Sequence, residues 1–389
     1  MATVSVNLFG FLSANLGLGV TARHLLRQLL KEGATVHPVD VPDAAGRSGM
    51  VVDHPISLAS PSAESPHDLN LFVLNPTSYV RLREESPPAL QTCGRINAIL
   101  PFWELPRIPG TWLPVLETMD GVLTASRFVH HTIAAEVSGP FVARVPHPLH
   151  LPRGVRANRQ AFGLPRDRVV FASSFELASD VNRKNPFGAI EAFQRAFPEG
   201  DRSAILALKL NNPGTRSSFR PWVQRLRQAA RIDDRIHILD GVMNRREVLS
   251  FYASADVYVS LHRAEGLGLS LLESMALGKP VVATAWSGNM EYMRETNSCL
   301  VGYDLIPAKG ATHDSYDPAH LRGAVWAEPH LDEAASWMAG LARNEELRRH
   351  IGGEARKVRA ERERETSTFE LTAVLERLHR SVPASVSKG

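Results

Sequence analysis

Short apolar runs alternate with longer stretches of helical spacing along nearly the whole chain. Residues 4–10, 35–40, 68–74, 95–100, 121–125 and 141–145 are brief, β-branched or aromatic, and bounded by turn residues, which predicts strands. Between them, residues 20–31 carry Leu25, Leu26, Leu29 and Leu30 at helical spacing, with Gly33 closing the segment. Residues 112–118 read as a helix, and Ser126 stands in the N-cap position of another that contains His130 and His131. The proline-dense stretch 146–153 interrupts the alternation and reads as a linker. Beyond it come strands at 169–174, 204–210, 236–239, 256–261, 281–284 and 298–303. Helices are predicted at 187–196, 221–231, 244–253, 267–277, 334–341 and 345–365, and Leu371, Val374, Leu375 and Leu378 place one more at 369–378. Repeated strand–helix–strand units predict an α/β protein with a doubly wound parallel sheet in each half, divided near Leu151. Residues 42–66 read as an exposed loop, 306–325 as irregular, and 381–389 as disordered.

Composition narrows the class. A chain of 389 residues with 44% hydrophobic and 22% charged residues has enough apolar material for two cores and belongs with soluble globular proteins. A net charge of +3 and a pI near 8.9 suit an anionic substrate, or loose contact with an anionic membrane surface, better than nucleic acid. Cys93 and Cys299 lie far apart without metal-ligand spacing, which favours a reducing compartment over a disulfide framework. With no signal-peptide pattern and no long uninterrupted apolar stretch, a cytoplasmic protein is expected, peripheral to the inner face of the membrane if it works there at all.

The chemistry concentrates after the strand at 256–261. A polar turn, His262-Arg-Ala-Glu-Gly266, leads into the helix at 267–277, which Gly278 caps and Pro280 stops. Glu265 therefore lies at the carboxyl end of a parallel strand, the edge where open α/β sheets bind ligands. Gly266 and Gly268 clear side chains from the helix start, so backbone N–H groups there, including that of Leu267, can approach a pyrophosphate. Glu273 is a carboxylate in an otherwise apolar helix, and a carboxylate can accept both hydroxyls of a vicinal diol. Two carboxylates beside one anion-binding helix end suit a nucleotide sugar. Taken singly, each residue has a plainer reading, a solvated charge or an ordinary turn. Arg183 and Lys184 follow the strand at 169–174 on the same sheet edge and can neutralise a diphosphate. Lys209 or Asn211 is a further candidate there. In the first half, Trp103 and Glu104 follow the strand at 95–100 and could meet an acceptor sugar; the alternative is a packed indole beside a solvated carboxylate.

The pattern Glu265, seven residues, Glu273, with Gly-Leu-Gly between and Ala-Leu-Gly-Lys-Pro-Val after, resembles the signature of the retaining GT-B glycosyltransferases of family 4 (glycosyl transferases group 1). The resemblance implies two Rossmann-like domains facing a central cleft. Residues 1–151 would form the acceptor-side domain, covered by a C-terminal helix at about 361–380, and residues 152–360 the nucleotide-sugar domain. It implies a hexosyltransferase of polysaccharide biosynthesis that needs no cofactor and no metal. Such an enzyme moves sugar with retention from a nucleoside diphosphate sugar, GDP-mannose being the donor expected here from among the family's common ones, to a hydroxyl of a glycan or lipid-linked glycan. Glu265, Arg183 and Lys184 would act at the reacting bond, and Glu273 would hold the ribose. Gly17 and Gly19 would form the N-terminal loop that faces the donor phosphates, and the turn at Ser287, Gly288 and Asn289 would lie near the donor. No residue is placed as a nucleophile, so covalent and same-face routes both stand.

Two other readings remain. A glycosyltransferase-like partner subunit would bind donor without turning it over. An NAD-dependent oxidoreductase would use Gly17-Leu-Gly19-Val-Thr-Ala22 as a dinucleotide fingerprint, with Asp40 on the ribose. Against the latter, residues 11–16 separate the strand from the first glycine, where the fingerprint needs them adjacent.

Overall fold

The computed structural model describes residues 4–44, 56–85, 92–211, 217–309 and 323–381. Parts of the loops expected at 42–66 and 306–325, and almost all of the tail expected at 381–389, lie outside these residues. The chain divides into two compact units, residues 1–150 with 362–389, and residues 151–361.

In the first unit the strands are β1 (Ser5–Gly10), β2 (Thr35–Asp40), β3 (Leu69–Val73), β4 (Ile96–Ile99), β5 (Gly121–Thr124) and β6 (Phe141–Arg144). They form one parallel sheet in the order β2-β1-β3-β4-β5-β6. Helices α1 (Gly17–Lys31), α2 (Pro76–Glu85), α3 (Leu113–Leu116) and α4 (Arg127–Ala134) connect them. Helix α2 follows Asn75 and was not foreseen; Pro76, Tyr79 and Leu82 are its buried residues. The central strands are buried on both faces, which is why they read as nearly continuous apolar runs. Their register is held partly by a buried amide ladder. Asn7 Nδ2 donates to Asn70 Oδ1 and Asn70 Nδ2 to Asn97 Oδ1, both at 2.9 Å, between residues directly paired in the sheet.

Trp103 belongs to this unit's packing. It is 2% exposed, its ring centroid lies 4.8 Å from that of Trp112, and its indole N–H donates to the Arg107 carbonyl at 2.6 Å. An indole so enclosed has no face to offer a sugar, so the expected acceptor contact at Trp103 gives way to the packed alternative. Glu104 beside it is half-buried.

In the second unit the sheet strands are β7 (Val169–Glu176), β8 (Ala204–Asn211), β9 (Ile236–Leu239), β10 (Val257–Ser260), β11 (Val281–Thr284) and β12 (Cys299–Val301). Their order is β12-β11-β10-β7-β8-β9, again all parallel. The helices are α5 (Val181–Lys184), α6 (Pro186–Ala196), α7 (Arg220–Ile232), α8 (Arg245–Ser254), α9 (Leu269–Ala276) and α10 (Leu331–Arg343). Phe193 of α6, Leu226 of α7 and Met338 of α10 pack with Phe171, Leu206 and Leu208 into one core.

The stretch expected to be irregular at 306–325 is flanked by an antiparallel pair, β13 (Tyr303–Pro307) with β14 (Val325–Pro329). It was hidden because Pro307 and Pro329 punctuate the run and the pairing is exposed along much of β13. The long helix α11 (Glu345–Thr368) crosses the unit boundary, and α12 (Leu371–Ser381) closes the first unit, with Leu371, Leu375 and Leu378 in the same core as Val6, Leu8 and Leu26. Among the described residues no helix is long and apolar enough to cross a membrane.

Candidate active site

The second sheet reverses its strand order between β7 and β10, so the loops leaving those two strands open a crevice at the carboxyl edge, as the topology of doubly wound sheets requires. The loops are stitched together. Asn185 Nδ2 donates to the Leu261 carbonyl (2.9 Å), the Arg263 amide to the Arg183 carbonyl (2.7 Å), and Arg183 Nη1 to the Ala264 carbonyl (2.7 Å). The loop after β11 joins them. The Glu265 amide donates to Ser287 Oγ (2.8 Å) and the Gly288 amide to the Glu265 carbonyl (2.8 Å). A Cβ on Gly288 would meet the Gly266 carbonyl oxygen at 2.1 Å, so only glycine allows this approach.

Backbone strain gathers at the same place. Asp180, Asn185 and Ser287 are the non-glycine residues with positive φ among the described residues, at 71°, 49° and 79°, and all three lie in these loops. Asp180 and Asn185 use their side chains as N-caps, accepting from the amides of Arg183 (2.9 Å) and Gly188 (3.1 Å).

Glu265 sits at the centre. It is 6% exposed; Oε1 meets Lys184 Nζ at 2.5 Å and Oε2 lies 3.6 Å from Arg183 Nη1. Burial pushes its carboxyl up, but Lys184, Arg183 and His262 outweigh burial and hold it down at about 2. The carboxylate is therefore charged at any physiological pH. The two cations differ. Arg183 is 2% exposed and its guanidinium is anchored on the Ala264 and Ser179 carbonyls (2.7 and 2.6 Å), so it is a fixed charge. Lys184 is the more open of the pair and carries a flexible stem. His262, fully buried, exchanges hydrogen bonds with Asn289 Oδ1 (3.1 Å) and Ser260 (3.1 Å), and burial lowers its pKa.

Gly268 is the N-cap of α9 at φ +80°, where a Cβ would be strained and would meet the Tyr292 hydroxyl at 2.9 Å. That hydroxyl donates to the Leu267 and Gly268 carbonyls (3.0 and 2.6 Å) and pins the glycine turn. The Leu267 side chain is buried, so what it offers a ligand is backbone. Glu273 is 2% exposed and takes Arg245 Nη2 on Oε1 at 2.6 Å. Lys209 is nearly sealed at the end of β8, donating to the Leu210 carbonyl (2.7 Å) and Asn211 Oδ1 (3.0 Å). Burial brings its amine down to about 8 against the pull of Glu176 and Asp240.

Glu265, Arg183, Lys184, Gly266, Leu267 and Gly268 are thus brought together at one sheet edge. Sequence reading missed Tyr292 and Arg245, which stand on separate elements and carry no motif of their own; the Arg245–Glu273 pair follows only from the way α8 meets α9.

In the first unit, Gly17 is exposed at the start of α1, while Gly19 is buried and spent on packing, since a Cβ there would meet the Phe11 and Ala14 carbonyl oxygens at 2.5 and 2.6 Å. Of the two glycines expected to face the donor, Gly17 is the exposed one. Asp40 accepts the Ser13 amide at 2.9 Å, which turns the proposed ribose acid of a dinucleotide site into a loop clasp. Among the described residues no cluster of three or more His, Cys, Asp or Glu could hold a metal.

The chain is similar over its length to several solved structures. Sucrose-phosphate synthase from Thermosynechococcus elongatus superposes with a TM-score of 0.69 at 15% identity, covering 97% of this chain and 100% of that one. HepE from Anabaena, crystallised with UDP and glucose, gives 0.63 at 13%, covering 97% and 99%. A glycosyltransferase from Rickettsia africae gives 0.60 at 12%, covering both chains fully at 100%. The fold is GT-B. Residues 166–311, which contain the crevice just described, match the family model of glycosyl transferases group 1. The search of curated proteins found no match. GT-B architecture accounts for the two parallel sheets, and the matched segment covers every site residue assigned in the second unit.

Proposed function

We propose that this GT-B protein is a retaining glycosyltransferase that moves a hexose from a nucleoside diphosphate sugar to a hydroxyl of a glycan or lipid-linked glycan. The observation that carries this reading is the ionised Glu265, buried between Arg183 and Lys184 beside the glycine turn that starts α9. Cleaving the bond from sugar to diphosphate builds negative charge on the leaving oxygen. The helix start and the two cations stabilise that charge in a site already arranged for it. Arg183 supplies the fixed part. Lys184 turns from Glu265 to the diphosphate, which leaves the Glu265 carboxylate to hold sugar hydroxyls and to face the positive character that develops on the ring. Glu273 takes the ribose. In this scheme Arg183 and Lys184 do the neutralising that a divalent ion would otherwise do, so transfer is expected to persist in excess EDTA.

GDP-mannose remains a donor to test. HepE, at 13% identity, was crystallised with UDP and glucose and with UDP-glucose, which puts UDP-hexoses first in the screen. A cytoplasmic setting, with peripheral contact to the inner face of a membrane when the acceptor is lipid-linked, goes with this reading and with the unpaired Cys93 and Cys299.

A thermal-shift panel of UDP, GDP, ADP and NAD tests the class, because a ligand that binds only the folded state raises its melting temperature. Stabilisation by a nucleoside diphosphate and not by NAD is expected, followed by sugar transfer from the matching donor. Stabilisation by NAD alone overturns the reading; binding of donor without turnover under any acceptor would identify a partner subunit instead.

A further inference from the structure

Glu273 is a buried carboxylate, and the group that makes it tolerable comes from another helix. Arg245 is the first residue of α8, and its Nη2 lies 2.6 Å from Glu273 Oε1. A cation at a helix N-terminus opposes the helix dipole, so nothing in α8 itself asks for arginine there. The capping box of α8, in which Asn244 accepts the Glu247 amide (3.1 Å) and Glu247 accepts the Asn244 amide (2.7 Å), would stand as well with a neutral residue at position 245. Glu273 explains the arginine: a carboxylate 2% exposed needs an opposite charge, and this ion pair is the one it makes among the described residues. The pair is single-pronged, Nη2 to Oε1. Both ends lie toward the carboxyl edge of the sheet, since α8 starts after β9 and Glu273 is one turn into α9. The wall behind is aromatic. Tyr252, further along α8, is 4% exposed and packs edge-on to Tyr258 with centroids 5.3 Å apart.

We propose that Arg245 is a positioning residue that holds Oε1 of Glu273 and leaves Oε2 alone for the ribose, so that the site selects ribonucleotides over their deoxy counterparts. This rests on the donor reading above. Arg245 acts through Glu273 and does not touch the diphosphate. The consequence is a separation of functions within one site: sugar-ring recognition on the nucleotide side depends on Arg245, anion binding does not.

The test uses the full chain and whichever of UDP, GDP or ADP binds wild type tightest. That nucleotide, its 2′-deoxy and 3′-deoxy forms, and inorganic pyrophosphate are titrated calorimetrically. Wild type is expected to prefer the ribo form by roughly tenfold, as one charge-assisted hydrogen bond implies. Arg245→Lys keeps the charge and loses the fixed geometry; it should cut that preference about threefold or more while pyrophosphate affinity stays put. Glu273→Gln should abolish the preference, and Arg245→Met added to it should change nothing further, because a residue acting only through Glu273 is non-additive with it. This double variant also replaces the buried charges with neutral groups, so it is expected to fold even where Arg245→Lys does not. An Arg245→Lys variant with the wild-type ribo preference, or a double variant that binds pyrophosphate more weakly than Glu273→Gln, overturns the proposal. A wild-type protein that binds no nucleoside diphosphate overturns the donor reading itself, a separate and recognisable failure.

Discussion

Each of the two sheets reverses its strand order once, and at each reversal a strand is followed by a loop and a Gly-Leu-Gly at a helix start. In the first unit this is Gly17-Leu-Gly19 at α1; in the second it is Gly266-Leu-Gly268 at α9. The local sequences are alike, but the surroundings are opposite. At α1 the loop is folded onto itself: Asp40 accepts the Ser13 amide, Arg23 Nη1 donates to the Leu12 and Ala14 carbonyls (2.8 and 3.0 Å), and Gly19 is crowded by backbone. At α9 the glycine turn follows directly on Glu265, which is paired with two cations, and it is pinned from behind by Tyr292. A glycine pair at a helix start thus says that backbone comes close to something. The neighbouring charges say whether that something is the protein or a ligand.

The sharpest way to break the comparison is to remove charge at the second reversal. Glu265→Ala should lower kcat/KM for transfer by on the order of a thousandfold, about 4 kcal/mol of transition-state stabilisation, in steady-state assays with the matching donor. Near-normal transfer would dissolve the distinction between the two loops.

The next effect is on stability against pH. The Glu265 carboxyl is held at about 2, below the ordinary 4.5, so its contribution is complete above pH 4.5 and drains away as pH falls from there toward 2. The full shift corresponds to about 3 kcal/mol. Urea titrations at pH 6 and at pH 3.5 should show a steeper acid loss in wild type than in Glu265→Gln.

Lys184→Ala should weaken donor binding by about tenfold to a hundredfold, roughly 1.4–3 kcal/mol, and should also lower the melting temperature, because it removes the largest of the charges that hold the buried Glu265 carboxylate ionised. The smallest expected effect belongs to the first reversal. Asp40→Asn should cost about 1 kcal/mol by loosening the loop clasp, and leave nucleotide affinity unchanged in the same calorimeter. A selective loss of NAD or nucleoside diphosphate binding in that variant would make the first loop a ligand site after all.

The alternation of strands and helices was legible because the central strands are buried on both faces and the amphipathic helices carry one apolar stripe. The carboxylates and the basic pair could be placed from their positions after strands, since strand direction alone puts residues 183, 184 and 265 on one edge. What sequence could not show were relations between elements that no spacing encodes. Trp103 was open to a ligand role and a packing role alike, and the Trp112 ring against it decides for packing. The Tyr292 clasp and the Arg245–Glu273 pair depend on how helices meet. Glycines were ambiguous for a related reason, because missing side-chain volume looks the same whether backbone or phosphate fills it.

Helix α12 sets the order in which the molecule can be completed during synthesis. Leu371, Leu375 and Leu378 fill the core built on Val6, Leu8 and Leu26, and a Cβ on Gly121 would meet Leu378 Cδ2 at 2.8 Å. The unit that leaves the ribosome first must therefore wait, its apolar face uncovered, until more than two hundred further residues have followed, residues 151–361 among them. The later unit, contiguous in sequence, can close as soon as it emerges. Early termination between residues 361 and 371 would thus spare the second unit and strand the first as an aggregation-prone fragment, a quality-control asymmetry written into the path of a single helix.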